Sequence, residues 1–280
     1  AQKRIVSWHH RVVAESVVAF TSPPARFEAI GGKDHILMKG SPVIPYDIAN
    51  KRAEYVRQQH GIRLSPWRGV GVGHNLPAIE GFVDEIAREV GKDPLDLRLE
   101  LTAKNPRANH LLKVVADMSD WRRKRSDTAL GIALEEKDDT LVAGVAEIAL
   151  DRRTGLIKVL NVWAAIDCGI CVQPLNTITQ IEGGILYGLG HILREEITHI
   201  DGRVQQSNFS DYQVTRMEDI PNVQVKVVST DNKPTGVGED GVPLAGATIG
   251  NAFYALTGTR LRELPMTPAR VLKALEVTRT

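Results

Sequence analysis

The sequence predicts an α+β fold in which helices pack on mixed, mostly antiparallel sheets. Three observations carry this. Strand-like runs come in pairs around turn signals, as Val142–Leu150 and Leu156–Ile166 do around Asp151-Arg152-Arg153-Thr154-Gly155. Two helical stretches, Pro174–Leu193 and Thr248–Arg262, interrupt these strands. The composition is that of a globular chain, 42% apolar and 25% charged over 280 residues, enough to bury a sizeable core. A formal net charge of +1 selects neither nucleic acid nor an anionic membrane. No apolar run approaches the roughly 18–20 residues that span a bilayer.

Taken in order, residues 1–20 alternate as a strand leading into Val12–Phe20. Residues 21–50 carry Pro23, Pro24, Gly31, Gly32, Pro42 and Pro45 and read as irregular loop. Over 76–90, Leu76, Ile79, Val83, Ile86 and Val90 keep the spacing of one helical face, with Gly91 where a C-terminal cap belongs. Asp93 as N-cap and Pro94 at the first position start the next helix. A further short helix fits Asn109–Met118. The basic stretch Trp121-Arg122-Arg123-Lys124-Arg125-Ser126-Asp127 lacks interleaved aromatic residues, so it reads as a solvated linker rather than a nucleic-acid surface. It divides the chain into subdomains 1–125 and 126–280. Beyond it, Glu196–Ile200 and Arg203–Gln206 flank Asp201-Gly202, a strong hairpin signal, and Val223–Ser229 is one more strand. Ile249, Ala252, Phe253 and Leu256 share a face of the last helix. The chain opens on Ala1, and Ala1–Trp8 has no apolar signal core, which leads us to expect a trimmed chain or a piece of a longer one.

Few motifs carry chemistry. Cys168-Gly169-Ile170-Cys171 has the spacing of a redox pair or half a metal site, but there are no other cysteines and no His at ligand spacing, which favours a crowded strand end. Neither H-E-x-x-H nor G-x-S-x-G occurs. Gly236-Val237-Gly238-Glu239-Asp240-Gly241 is a literal G-x-G-x-x-G. It fails as a dinucleotide fingerprint, because Thr230–Thr235 separate it from the preceding strand and Pro243 falls where the cofactor helix should begin. What remains is a carboxylate between glycines, which is either a general base or a solvated turn. Trp67-Arg68-Gly69-Val70-Gly71-Val72-Gly73-His74-Asn75 is a second glycine-rich loop ahead of a helix, able to offer backbone N–H groups to an anion. Gln180-Ile181-Glu182-Gly183-Gly184 lies inside a helix that also holds Gly188 and Gly190. An interior Gly costs about 1 kcal/mol relative to Ala, so these glycines call for close approach of another backbone or of a flat ligand.

These three segments, in this order, resemble the molybdenum-binding large subunit of the xanthine oxidase family of molybdenum hydroxylases, above all its isoquinoline 1-oxidoreductase and bacterial aldehyde dehydrogenase branch. The resemblance is carried by Trp67-Arg68-Gly69-Val70-Gly71, Glu80–Ala87, Asp167-Cys168-Gly169, Gln180–Gly184, Gly236–Pro243, Asn251-Ala252 and Leu264-Pro265. It covers only the C-terminal part of that subunit, so it implies that further loops of the site lie on a remaining half. The implied cofactor is molybdenum held by molybdopterin, in the cytosine dinucleotide form, with no protein side chain ligating the metal. Arg68 and Gly69 match the loop beside the metal, Gln180 the glutamine that contacts the pterin, and Gly238 and Glu239 the glycine and glutamate under the metal. Glu239 would be the catalytic base. Val70 stands where the purine enzymes place a substrate-stacking aromatic residue, and Asp240 where many members have Pro. The implied reaction oxidises an aldehyde or N-heteroaromatic substrate with water as oxygen source. Electrons would leave through a [2Fe-2S] subunit, since two cysteines cannot hold a four-Cys cluster, and a cytochrome c subunit is a further implied partner. The compartment is not readable, with a lean to the periplasm. Other readings are a cofactor-free scaffold or maturation protein of the same fold, and a nicotinamide dehydrogenase.

Overall fold

In a computed structural model, residues 4–42 and 44–277 are described; Ala1, Gln2 and Lys3 of the opening run lie outside them. The first strand, β1 (Ser7–Ala14), is shorter than the alternation suggests. Ser16 ends it by accepting the Ala19 N–H at 3.1 Å, which caps α1 (Val17–Thr21). Pro24 then opens α2 (Pro24–Ala29) inside the segment expected to be irregular. Strand β2 (Asn50–Arg57), unanticipated in sequence, pairs parallel with β1.

Helix α3 (Val70–Glu89) starts six residues earlier than its apolar spacing indicated, so most of the glycine-rich loop is its first turn. The reason is close approach. A Cβ on Gly71 would lie 2.4 Å from the carbonyl oxygens of Ile36 and Leu37, and the Gly71 N–H donates to Ile36 O at 3.1 Å. Helices α4 (Pro94–Leu101) and α5 (Pro106–Met118) begin at Asp93 and Asn105 caps, each followed by Pro at the first position. Then come β3 (Thr128–Lys137), β4 (Thr140–Asp151) and β5 (Leu156–Asp167). Helix α6 (Pro174–Leu193) has the predicted bounds, and the small hairpin β6 (His199–Ile200) and β7 (Arg203–Val204) turns at Asp201-Gly202, both at positive φ. Strand β8 (Asn222–Val227) precedes α7 (Val242–Thr257), which starts at 242 because a proline is tolerated in a first helical turn. Gly258 at φ 77° ends it, four residues before the predicted limit. Helix α8 (Pro268–Val277) closes the described chain.

Strand alternation builds the layers. The main sheet has the order β3-β4-β5-β8, antiparallel except for the parallel β5–β8 pair. Val142, Ala146, Val162, Ala164 and Ile166 face α6 and α7, packing with Ile181, Ile185, Leu244, Ala252 and Phe253. The intervening Leu141, Ala143, Val145, Trp163 and Ala165 face the other way, onto Ile79 and Val83 of α3 and Leu111, Leu112 and Val115 of α5. That second core joins residues on both sides of 125.

Edge strand β3 is blunted by side chains. Glu80 accepts the Leu134 N–H at 3.0 Å, and the Asn251 amide donates to Ile132 O at 2.9 Å. Glu80 belongs to a fully buried ion group: Arg98 reaches it at 2.9 Å and Asp84 at 2.6 Å, and the Tyr46 hydroxyl donates to it at 2.7 Å. The basic stretch after Met118 is solvated at Arg122, Arg123 and Lys124, as expected, but tied down at Trp121 and Arg125. Arg125 pairs with Glu147 at 3.0 Å and donates to Ser119 O at 2.8 Å, while Trp121 Nε1 donates to Asp93 at 3.1 Å. Its acidic partners come from distant strands and helices, which local charge counting does not see.

Candidate functional site

The three glycine-rich segments meet where α3 and α7 begin. Arg68 makes the junction. Its Nε donates to Gly238 O at 2.8 Å and its Nη2 to Gln180 O at 3.3 Å, so three of the residues singled out in sequence are brought together. The Arg68 guanidinium also lies 5.9 Å from the Tyr187 ring centre, and Trp67 packs on Tyr187 and His191 at 5.5 and 5.3 Å. The loop before α3 is thereby clamped to α6. Gly69, at φ 97°, places its Cβ position 3.4 Å from Val242, so the first turns of α3 and α7 touch. Val70 follows at φ 40°, an outlier for a β-branched residue. It joins the group through the backbone of Gly69.

The glycines sort into two kinds. Gly184 and Gly188 of α6 are required by the chain itself: Cβ atoms there would lie 2.6 Å from Asp240 O and 2.5 Å from Val242 O. The backbone approach expected of this helix is real at these two positions, and the approaching segment is the start of α7. Gly183, expected to serve the same purpose, has nothing within 4 Å. Gly236 and Gly238 are of the second kind. Both are exposed, neither has positive φ, Gly236 meets nothing within 4 Å, and Gly238 meets only the Gln180 amide at 3.9 Å. Nothing inside the chain demands glycine there. A group seated against the outer side of the loop would, because a side chain at either position would occupy its space.

Glu239 follows Gly238. Its side chain is 34% exposed and its carboxylate accepts from the Lys137 ammonium at 2.9 Å. Asp240 turns inward and is buried, with Oδ1 unpartnered. Lys137 and the buried Glu135 were missed in sequence, and Asp240 was noted there only for standing where many members have Pro. The available signal was parity, since Gly131, Ala133, Glu135 and Lys137 alternate along β3 beneath α7.

The Cys168–Cys171 pair holds the strand end. Cys168 O accepts the Thr235 N–H at 2.9 Å, Ile170 N–H donates to Asn232 O at 3.0 Å, and Thr140 Oγ1 donates to Gly236 O at 2.7 Å. The segment leading into the Glu239 loop is thus tied to the end of β5. Burial, then the neighbouring Cys171, pushes the Cys168 thiol up to about 11, the opposite of a reactive cysteine. Among the described residues, no group of three or more His, Cys, Asp or Glu gathers as a metal site. The residues present suit a cofactor that brings its own metal ligands: glycines without an internal role, an exposed amide, an arginine-clamped loop and an accessible carboxylate.

Residues 121–221 match the molybdopterin cofactor-binding domain. The chain is 36% identical over 271 residues to the beta subunit of isoquinoline 1-oxidoreductase of Brevundimonas diminuta, covering 95% of this chain and 34% of that one. It is 28% identical over 294 residues to the membrane-bound aldehyde dehydrogenase (pyrroloquinoline-quinone) of Gluconacetobacter polyoxogenes, covering 96% and 37%. Its fold matches quinoline 2-oxidoreductase from Pseudomonas putida 86 with a TM-score of 0.77 at 12% identity, over 98% of this chain and 60% of that one. The chain belongs to the xanthine oxidase family of molybdenum hydroxylases, within the molybdopterin-binding subunit. It spans about a third of the length of these two curated relatives.

Proposed function

We propose that this chain supplies the base-bearing part of the active site of a molybdenum hydroxylase that oxidises an aldehyde or an N-heteroaromatic compound with water as oxygen source. The observation that carries the reading is the pair of glycines, Gly236 and Gly238, with no internal reason to be glycine, in the loop that presents Glu239 beside Gln180. When bound, a molybdopterin supplies the two-electron oxidation and the activation of water. The chain's own residues do the rest. Gln180 contacts the pterin through its exposed amide. Arg68, fixed by Gly238 O and Gln180 O, holds the two cofactor-facing segments in register. Gly69, in contact with Val242, brings the starts of α3 and α7 side by side. Glu239 takes the proton of the attacking oxygen. Val70 borders the substrate space.

The dinucleotide form of the cofactor, the [2Fe-2S] subunit, a cytochrome c subunit and the remaining half of the molybdenum subunit belong to this proposal. The relative named subunit beta supports partner subunits, and the two cysteines of this sequence, too few for a four-Cys cluster, support placing the [2Fe-2S] centre elsewhere. Among the described residues no helix is long and apolar enough to cross a membrane.

Glu239→Gln tests the reading. It preserves size and hydrogen bonding but cannot accept a proton, and loss of a general base costs about 10²–10⁴-fold in rate. Molybdenum content should stay at the wild-type level. A protein that never contains molybdenum would indicate a scaffold instead, and full activity in the loaded variant would return the loop to an ordinary turn.

A further inference from the structure

Behind the Glu239 loop lies a group of charges that the reaction as proposed does not use. Glu135 and Lys137 sit two residues apart on β3 and therefore share the face covered by α7. Glu135 is wholly buried, and neither of its carboxyl oxygens completes a hydrogen bond. Asp240, from the loop above it, is also buried and leaves Oδ1 without a partner. Lys137 stands at the mouth of this pocket and bonds Glu239 at 2.9 Å, with Asp138 at 3.5 Å on its other side. Asp138 is itself held by Lys39 at 2.7 Å. These are the charged groups that face the cluster.

Two buried carboxyls with unsatisfied oxygens are expensive if both are ionised, and a neighbouring like charge makes the second ionisation harder still. Burial, and then Asp240, push the Glu135 carboxyl well above the usual range, against the Gly241 N–H and Lys137, which favour the charged form. Burial likewise raises Asp240 to about 6, against the pull of Lys137. Burial opposes the charge on Lys137, but its bond to Glu239 and the charge of Asp240 more than offset this and raise it.

Resting on the reading of Glu239 as the base, we propose that Lys137, Glu135 and Asp240 form a charge-balancing cluster in which the acid pair holds one proton and one negative charge between its two carboxyls. Lys137 is the positioning residue. It bonds the Glu239 carboxylate at 2.9 Å, with the charge of Asp240 favouring its ammonium form, and aims that carboxylate at the cradle. The arrangement explains why an inward aspartate is tolerated directly after the base. Asp240 acts on the ammonium through its charge alone, while Glu239, one residue away, bonds it directly at 2.9 Å.

Two measurements in the assembled, molybdenum-loaded enzyme test this. Lys137→Met should lower kcat about a hundredfold, the scale of a misplacement of about 1 Å at the reacting group. KM and molybdenum content should change little, and Lys137→Arg should restore most of the rate. Infrared difference spectroscopy, which needs no turnover, should show the carbonyl stretch of a protonated carboxylic acid at neutral pH. The stretch should be lost in Glu135→Gln and altered in Asp240→Asn; should Glu135→Gln fail to fold, Asp240→Asn carries the assignment. Wild-type kcat in Lys137→Met overturns the positioning role, and absence of the protonated-carboxyl band overturns the shared proton. An inactive Glu239→Gln alongside an unimpaired Lys137→Met would leave the base standing and remove the cluster alone. An active Glu239→Gln would remove the base, with the infrared band still deciding the acid pair.

Discussion

Gly184 and Gly183 are neighbours on one helix, yet alanine should act on them in opposite directions. At Gly184 the new Cβ would sit 2.6 Å from the Asp240 carbonyl oxygen. Restoring ordinary contact at about 3.5 Å requires a shift of about 1 Å, and the atom displaced belongs to the residue after Glu239. Alanine gains about 1 kcal/mol of helix propensity over glycine, against about 1–3 kcal/mol for overpacking a tight contact, so the net change runs from neutral to a loss of about 2 kcal/mol. Function should suffer more than stability, because a shift of about 1 Å in a catalytic loop costs about a hundredfold in rate. At Gly183 nothing lies within 4 Å, so alanine there should stabilise by up to about 1 kcal/mol and leave the contact of α6 with α7 intact. Thermal unfolding, molybdenum content and kcat, measured side by side for the two variants, decide the matter. Equal behaviour of Gly183→Ala and Gly184→Ala would refute the close contact between α6 and the start of α7.

Three further predictions concern the scaffold. Arg98→Met should cost about 3–5 kcal/mol in denaturant unfolding, because it strands the buried carboxylates of Glu80 and Asp84; a loss under about 1 kcal/mol would contradict the ion group. Burial works to raise the Asp167 carboxyl, but Arg107, the Gly169 N–H and Thr230 together hold it below its ordinary value. A depressed carboxylate contributes stability that is fully present above its unfolded value of about 3.9 and is lost as pH falls through the folded one. The melting temperature of Arg107→Met should therefore lie below wild type at neutral pH, with the gap closing in acid; a gap independent of pH would disprove the linkage. Cys168 should resist alkylation at neutral pH until the protein unfolds, given its raised thiol, and rapid labelling of the native protein would show the strand end to be open.

Local chemistry was legible in the chain. The Asp201-Gly202 and Asp151–Gly155 turns, the Asp93-Pro94 helix start and the full length of α6 need only neighbouring residues, and these lie where the spacing indicates. The segments that hold Arg68, Gln180, Gly238 and Glu239 were likewise marked by unusual composition, and the four residues themselves by the family resemblance. Helix starts at Val70 and Val242 were not legible. Interior glycines lower local helix propensity, and the close packing of Gly71 on Ile36 and Leu37, and of Val242 on Gly188, is not visible to local spacing. Arg125 of the basic stretch looked solvated because Glu147, its partner, is contributed by another element. The meeting of Arg68 with Gly238 closes 170 positions of chain, and Lys137 with Glu239 about a hundred. Sequence order carries no information about which distant segments come together. That is decided when strand parity turns Glu135 and Lys137 under α7, and the Asp240 and Val242 backbones press on Gly184 and Gly188, leaving Glu239 on the outer side of the loop.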